Sequence, residues 1–310
     1  MADHAPGPLI RAIDEALDLL RAHDPGGDLP VRVSGDPLPS LLEQCRTLCG
    51  EAALDTPPPV RSLHHFACSG GTLMSKCIAA QPNTVLLSEI DPLSTLHLRH
   101  ARKPFFPTDT LADLRHGVRS APEGDLVDIF MTGLVRIRDL LAARGQNLVL
   151  RDHAHSQFCT KVDGSARPTL HAILAARVPL RSVVTLRHPL DSFLSLSANG
   201  WDHFAPFTLE EYSQRYLAFL AAHAGIEWIL YEDFVESPQE VTQRMCALLD
   251  LPFDPGALDL IGVFQLSGDS GRSSTQIGPR ARRSVPEAIA RQAAESPAYA
   301  RLCKAIRYQP

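Results

Sequence analysis

From residue 60 onward the chain alternates short β-like runs with amphipathic helical segments, and this alternation limits the fold more than any other feature. Strand candidates are Ser62–Cys68, Thr84–Ser88, Asn147–Arg151, Arg181–Leu186 and Glu227–Tyr231. Helices are expected over 72–80, 123–143, 168–177, 189–198, 208–223 and 238–249. Two helix starts carry capping boxes, Thr208 with Glu211 and Ser237 with Glu240, the second with Pro238 at the first helical position. Strands separated by helices predict an α/β fold with a mostly parallel sheet covered by helices on both faces. Ligands of such sheets bind at the carboxyl ends of the strands, so the residues directly after each strand matter most.

Upstream, residues 8–23 and 38–49 place apolar groups at helical spacing, with Ile10, Ile13, Leu17 and Leu20 in the first and Leu38, Leu41, Leu42, Cys45 and Leu48 in the second. The run Asp55-Thr56-Pro57-Pro58-Pro59 cannot continue a helix. Residues 1–54 are therefore expected to be a short N-terminal helical extension, 55–60 a proline-rich linker and 61–310 the α/β domain. With 310 residues, 45% hydrophobic and 21% charged, the chain has material for a sizeable core and does not read as disordered or collagen-like. No apolar run approaches the roughly 18–20 residues that span a bilayer. A net charge of -5 is the wrong sign for general binding to phosphate backbones. Neither a membrane nor a nucleic acid is expected as a partner. Met1-Ala2-Asp3-His4-Ala5-Pro6 lacks the basic and then apolar pattern of a secretory signal, so a cytoplasmic location is expected. The 7 cysteines are scattered without a CxxC pair and read as reduced, mostly buried thiols.

Two strand ends carry anion-binding chemistry. After the first strand comes Cys68-Ser69-Gly70-Gly71-Thr72-Leu73. A small-residue turn into a helix lets backbone N–H groups converge on an anion at the positive end of the helix dipole, with the Ser69 and Thr72 hydroxyls beside them. A side chain at Gly70 is expected to block that approach. The loop is not a Walker A motif, since the Gly-Lys-Ser/Thr is missing. After the fourth strand comes Arg187-His188-Pro189-Leu190-Asp191-Ser192-Phe193-Leu194-Ser195, where a guanidinium fork and a hydroxyl about two helical turns on can meet a second phosphate.

Together the two loops resemble those of the sulfotransferase family that uses 3'-phosphoadenosine 5'-phosphosulfate (PAPS). In that family the first loop holds the 5'-phosphosulfate and an Arg…Ser pair of this spacing holds the 3'-phosphate. Ile229-Leu230-Tyr231-Glu232-Asp233-Phe234 is similar to the family's Tyr-Glu-Asp segment, followed here by Leu251-Pro252-Phe253. Ser267-Gly268-Asp269-Ser270-Gly271-Arg272 is similar to its late glycine-rich loop over the nucleotide. The likeness runs from about residue 61 to 284. It implies a P-loop-containing sulfotransferase-like fold, PAPS as co-substrate, and nucleotide contacts from Cys68, Ser69, Gly70, Gly71, Thr72, Leu73, Arg187, Ser195, Tyr231, Gly271 and Arg272. Two positions depart from the family pattern: Cys68 stands where a Lys or Arg is usual, and Leu73 where an aromatic often follows the Thr. The cation for the leaving group is open among Lys76, Arg61, Arg151 and Arg272.

Sulfuryl transfer also needs a base for the acceptor's proton. Glu89, after the second strand, resembles the glutamate base of carbohydrate and bacterial sulfotransferases. His153, after the third strand, resembles the histidine of the cytosolic small-molecule branch. Glu89 is the first choice, with His153 orienting or facing the acceptor. His153 with His155, or His97 with His100, has no third ligand at diagnostic spacing, so no metal is expected. Residues 272–283 hold four arginines (272, 280, 282, 283) and no acid, which suits a lid over an anionic ligand.

The expected activity is transfer of a sulfuryl group from PAPS to a hydroxyl or amine, releasing adenosine 3',5'-bisphosphate. A nucleotide kinase or a degenerate nucleotide-binding scaffold are the alternatives. The acceptor, a small molecule or carbohydrate, is expected among residues 92–122, 154–167 and 199–210, with His97, Phe105, Phe106, Phe158, Trp201, Phe204 and Phe207 as candidate lining. Oligomeric state is open.

Overall fold

A computed structural model describes residues 57–94, 109–116, 120–161, 163–266 and 277–309, with Asp18. The helices expected over 8–23 and 38–49, and the loop with Gly271 and Arg272, lie outside the described residues, Asp18 excepted. Within the unit Leu54–Pro310 the elements run β1 (Val60–His65), α1 (Gly71–Ala79), β2 (Thr84–Ile90), α2 (Thr110–His116), α3 (Glu123–Ala142), β3 (Asn147–Asp152), α4 (Ala154–Phe158), α5 (Leu170–Ala175), β4 (Leu180–Leu186), α6 (Pro189–Ala198), α7 (Leu209–Ala222), β5 (Trp228–Leu230), α8 (Tyr231–Glu236), α9 (Pro238–Leu248), α10 (Glu287–Glu295) and α11 (Pro297–Ala305).

The five strands form one sheet in the order β2-β3-β1-β4-β5, every pair parallel. Side chains alternate across it, and both faces are apolar because both are covered. On one face Leu63, Val149 and Val183 pack against Met74, Cys77 and Ile78 of α1 and Met245 of α9. On the other, Leu148 and Leu150 meet Val127, Met131 and Leu134 of α3 and Ile173 and Leu174 of α5. The same face continues through Val184 and Leu186 to Tyr212, Tyr216 and Phe219 of α7 and to Leu302 of α11. Each such fully buried side chain contributes about 1.5–3 kcal/mol relative to exposure.

Chain direction across the sheet reverses at its centre. The connection from β1 leads to α1 on one face, while that from β4 leads to α6 and α7 on the other. Adjacent strands β1 and β4 therefore form the switch point of the sheet, the place where open parallel sheets bind ligands at their carboxyl ends.

The expected α/β architecture is observed, with local differences. β1 ends at His65 rather than Cys68, because Phe66 begins the turn that leads into α1. β5 ends at Leu230, and Tyr231 opens the short helix α8. Thr208 caps α7 by accepting from Glu211 N at 3.3 Å. The second capping box does not form: Ser237 makes no side-chain cap bond, because it also follows Glu236 as the C-cap of α8, with its N–H donated to Asp233 O at 2.9 Å. The described cysteines Cys68, Cys77, Cys159, Cys246 and Cys303 are free thiols, all but Cys68 buried. Among the described residues no helix is long and apolar enough to cross a membrane.

Candidate active site

The loop between β1 and α1 is shaped by two residues in the left-handed region, Cys68 at φ 59° and Gly70 at φ 83°. Ser69 closes the turn twice, its N–H and its hydroxyl both donating to Phe66 O, at 3.2 and 2.8 Å. That hydroxyl proton is thus committed within the turn. The amides of Gly71, Thr72 and Leu73 open α1, where the first-turn N–H groups gather the positive end of the dipole.

The two glycines answer to the protein's own rings. A Cβ on Gly70 would stand 2.2 Å from Tyr231 Cδ2, and one on Gly71 2.2 Å from the His65 ring. Gly70→Val is therefore expected to destabilise the fold by about 1–3 kcal/mol, through φ strain and the displaced tyrosine. A thermal melt reads this before any ligand is added. The substitution probes the construction of the loop as much as its ligand, contrary to the simple blocking role expected at Gly70.

Arg151, near the end of β3, lies across the loop. Its guanidinium donates to Thr72 Oγ1 at 2.8 Å, Ser88 Oγ at 2.9 Å and His65 Nε2 at 3.1 Å, and pairs with Glu89 Oε1 at 2.6 Å. Burial first, and the neighbouring Arg151 charge second, hold His65 well below the ordinary histidine pKa. The neutral ring then accepts from Arg151 and fixes its orientation. Of the four cations left open by the sequence, Arg151 touches the loop. Arg61 sits at the opposite end of β1, donating to Leu249 O at 2.7 Å and Asp250 O at 2.8 Å, and Lys76 is in the last turn of α1.

Glu89 and His153 meet. Glu89 has φ 57° and lies in an irregularity of the β2–β3 pairing between Leu87 and Ile90. A bulge of this kind re-aims a side chain, and a non-glycine residue held at positive φ is a strain that persists where surrounding contacts impose it. The carboxylate consequently reaches Arg151 with one oxygen and His153 Nε2, at 3.0 Å, with the other. His153 is set at the N-terminus of α4, its N–H donated to Ile90 O at 3.1 Å.

The second candidate anion site converges on Cys68 from the β4 side. Arg187 donates to Cys68 O at 3.3 Å and lies 4.8 Å above the Tyr231 ring centroid. Its Nε is buried without a hydrogen-bond partner. Ser195 and Asn199 of the α6 region both reach the Cys68 thiol, Asn199 Nδ2 at 3.8 Å. Burial pushes that thiol up to about 11, so it stays neutral. Tyr231 floors Gly70 and carries Arg187, while Glu232 accepts from His188 N at 3.2 Å and from the Tyr308 hydroxyl. Arg282 pairs with Asp191 at 3.1 Å and the charge of Arg283 reaches Cys68, so the described part of the arginine segment lies over the start of α6.

Beyond His153 the rings of His155, Trp201 and His203 cluster, with 5.6 Å between His155 and each of the other two. Asp91 anchors this side by accepting from both Arg167 amino groups, at 2.8 and 2.6 Å, and from Ser156 Oγ. Phe158 and Phe204 are not available to line an acceptor pocket: both are buried in the core around α7, with Phe207 packed against it. His97, Phe105 and Phe106 lie outside the described residues. Sequence reasoning passed over His65 and Ser88. His65 shows only as the strand residue before the loop, on the face that alternation assigns to Arg151.

No protein-family model matches the sequence, and no curated protein does. Solved structures do. The sulfotransferase domain from the Synechococcus PCC 7002 olefin synthase superposes with a TM-score of 0.52 at 17% identity, over 83% of this chain and 98% of that one. The sulfotransferase domain from the curacin biosynthetic pathway gives 0.48 at 16% identity, over 82% and 98%. A sulfotransferase from Alicyclobacillus acidocaldarius gives 0.45 at 15%, over 82% and 97%. The five-stranded parallel sheet with helices on both faces is thus a sulfotransferase-like fold.

Proposed function

We propose that this chain transfers a sulfuryl group from PAPS to a hydroxyl or amine of a small-molecule or carbohydrate acceptor, releasing adenosine 3',5'-bisphosphate. The observation that carries the reading is Arg151, which joins Thr72 of the loop to Glu89 through one buried guanidinium. It supplies the positive charge that Cys68 does not. In the proposed step the acceptor oxygen or nitrogen forms a bond to sulfur as the bond from sulfur to the bridging phosphate oxygen breaks. The departing electron pair stays on the bisphosphate, whose charge is met by the α1 amides, Thr72 and Arg151. The acceptor's proton passes to Glu89. Fixed dipoles and charges aimed at the leaving oxygen are the largest resource available to such a site. A phosphoryl-transfer reading lacks the lysine and hydroxyl pair on the loop.

The activity test incubates the protein with PAPS and a panel of phenols, alcohols, sugars and amines, and follows both products by mass spectrometry. Expected is an acceptor that gains one sulfuryl group for each adenosine 3',5'-bisphosphate released. Release of bisphosphate with no acceptor modified anywhere in the panel, or phosphorylation from ATP, counts against it.

Arg187 and Ser195 are proposed to hold the 3'-phosphate. Arg187→Ala is expected to weaken binding of adenosine 3',5'-bisphosphate by about 1.5–3 kcal/mol, the usual worth of a charge-assisted hydrogen bond. Affinity for adenosine 5'-phosphate, which has a hydroxyl and no phosphate at that position, should barely change. Calorimetry of both ligands on both proteins checks the difference.

A further inference from the structure

Behind the candidate active site, on the opposite face of the same two strands, lies a cluster that sulfuryl transfer does not use. Strand alternation sends His65 and Arg151 to the loop side and their neighbours His64 and Asp152 to the other. There His64 Nδ1 and Asp152 Oδ2 stand 2.7 Å apart, and His223 Nε2, at the end of α7, faces the same oxygen at 3.9 Å. Relative exposure of His64, Asp152 and His223 is 0%, 5% and 4%. Their three donor atoms lie within 4.8 Å of one another.

His223 is the informative member. Its Nδ1 donates to Phe219 O at 2.8 Å, which places the proton of the neutral ring on that nitrogen and leaves a lone pair on Nε2. Nε2 is buried without a hydrogen-bond partner, and 3.9 Å from Asp152 is beyond hydrogen-bond reach. A buried lone pair turned toward a carboxylate is costly unless positive charge stands between them. His64 is held in a matching way, its Nε2 meeting Ser62 Oγ at 2.8 Å, which meets Ser182 Oγ at 2.9 Å, which meets His171 Nδ1 at 3.1 Å. Both imidazoles thus have the nitrogen turned away from Asp152 tied to an outer partner, the arrangement that orients histidine ligands around a metal.

We propose that His64, Asp152 and His223 form a buried site for a divalent first-row transition ion, zinc foremost, bound through two imidazole nitrogens and one carboxylate oxygen. That donor set suits zinc and its neighbours rather than magnesium or calcium. Bonds of about 2.0–2.2 Å put adjacent donors about 3.3 Å apart, so the 2.7 Å pair opens and the 3.9 Å pair closes by about 0.6 Å each, and the two imidazole nitrogens, within 4.8 Å of each other, close by up to about 1.5 Å. The ion replaces the proton shared by His64 and Asp152, which leaves to solvent. The ion would tie β1, β3 and the end of α7 together one residue before His153. The site draws on three separate elements, so no motif announces it, and it uses none of the histidine pairs considered in the sequence. The proposal stands independently of the sulfuryl-transfer reading.

The test takes the full chain, strips it with a chelator and adds Co²⁺ as a spectroscopic probe. Stoichiometric Co²⁺ is expected to bring out the visible ligand-field bands of a low-coordinate site, Zn²⁺ to displace them, and the melting temperature to rise with added Zn²⁺. His223→Phe keeps a ring beside Phe158 and Phe219, and Asp152→Asn keeps the shape of the carboxylate. Each is expected to weaken Co²⁺ binding by more than about 100-fold, beyond what loss of an outer-shell partner does, with folding checked by circular dichroism. A variant lacking both His155 and His203 should keep the bands. Wild-type protein without saturable bands overturns the proposal, whatever the variants do. So do bands that survive His223→Phe or Asp152→Asn in folded protein, or that vanish with His155 and His203.

Discussion

Replacing Arg151 by alanine is expected to lower turnover by about 10²–10³-fold, the effect of deleting a preorganised group that meets charge developing in a transition state. The guanidinium is held by Thr72, Ser88, His65 and Glu89 together, so it is in place before the donor arrives. Because its stabilisation grows as the bridging bond breaks, kcat should fall further than bisphosphate affinity does. Arg151→Lys should recover little, since a single ammonium cannot reproduce the fork that bonds a hydroxyl, a carboxylate and an imidazole at once. Steady-state kinetics on a folded variant decide it, and near wild-type turnover in Arg151→Ala would remove the residue from the reaction.

Glu89→Gln is expected to lower turnover by about 10²–10⁴-fold, the range for loss of a general base, with bisphosphate affinity nearly unchanged. Contact between Glu89 and His153, at 3.0 Å, makes the two a unit. Their effects should therefore be far from additive, the double variant costing little more than the worse single one. His153→Ala and His153→Gln, followed over pH, separate the roles. An imidazole base imposes an acidic limb as it becomes protonated, whereas an orienting histidine shifts KM and kcat without owning that limb. Should Glu89→Gln keep its turnover while both His153 variants lose it, the histidine is the base and the glutamate its support.

The parts of the fold that are periodic were readable in the chain. Five strand candidates and six helices recur close to their expected spans because apolar spacing and β-branched runs report directly on which residues face the two covered sides. Among the described residues five helices escaped: α2, α4 and α8 cover seven, five and six residues, while α10 and α11, nine residues each, follow the arginine segment where no helix was expected. Ser237 carries the letters of a capping box, yet a helix arriving from the other side takes its backbone into a different conformation. At the site, the loop and the Arg187 strand end were legible because glycine, hydroxyl and arginine sit where a parallel sheet presents its ligands. Arg151 was visible only as one of four possible cations. What singles it out is a register that brings β3 beside β1, and a strained turn at Glu89 that no local pattern encodes. Likewise Gly70 and Gly71 read as ligand-facing from sequence, while the Tyr231 and His65 rings that demand them come from α8 and β1.

The most direct measurement on the central claim is a calorimetric titration of the wild-type protein with adenosine 3',5'-bisphosphate, adenosine 5'-phosphate and ATP. Arg187, with its buried unpartnered Nε, and Ser195 both converge on the loop at Cys68, so the 3'-phosphate should be recognised there. The account predicts that the bisphosphate binds at least about tenfold more tightly than either other nucleotide, which corresponds to about 1.4 kcal/mol or more. Equal affinity for all three, or tighter binding of ATP, would contradict it.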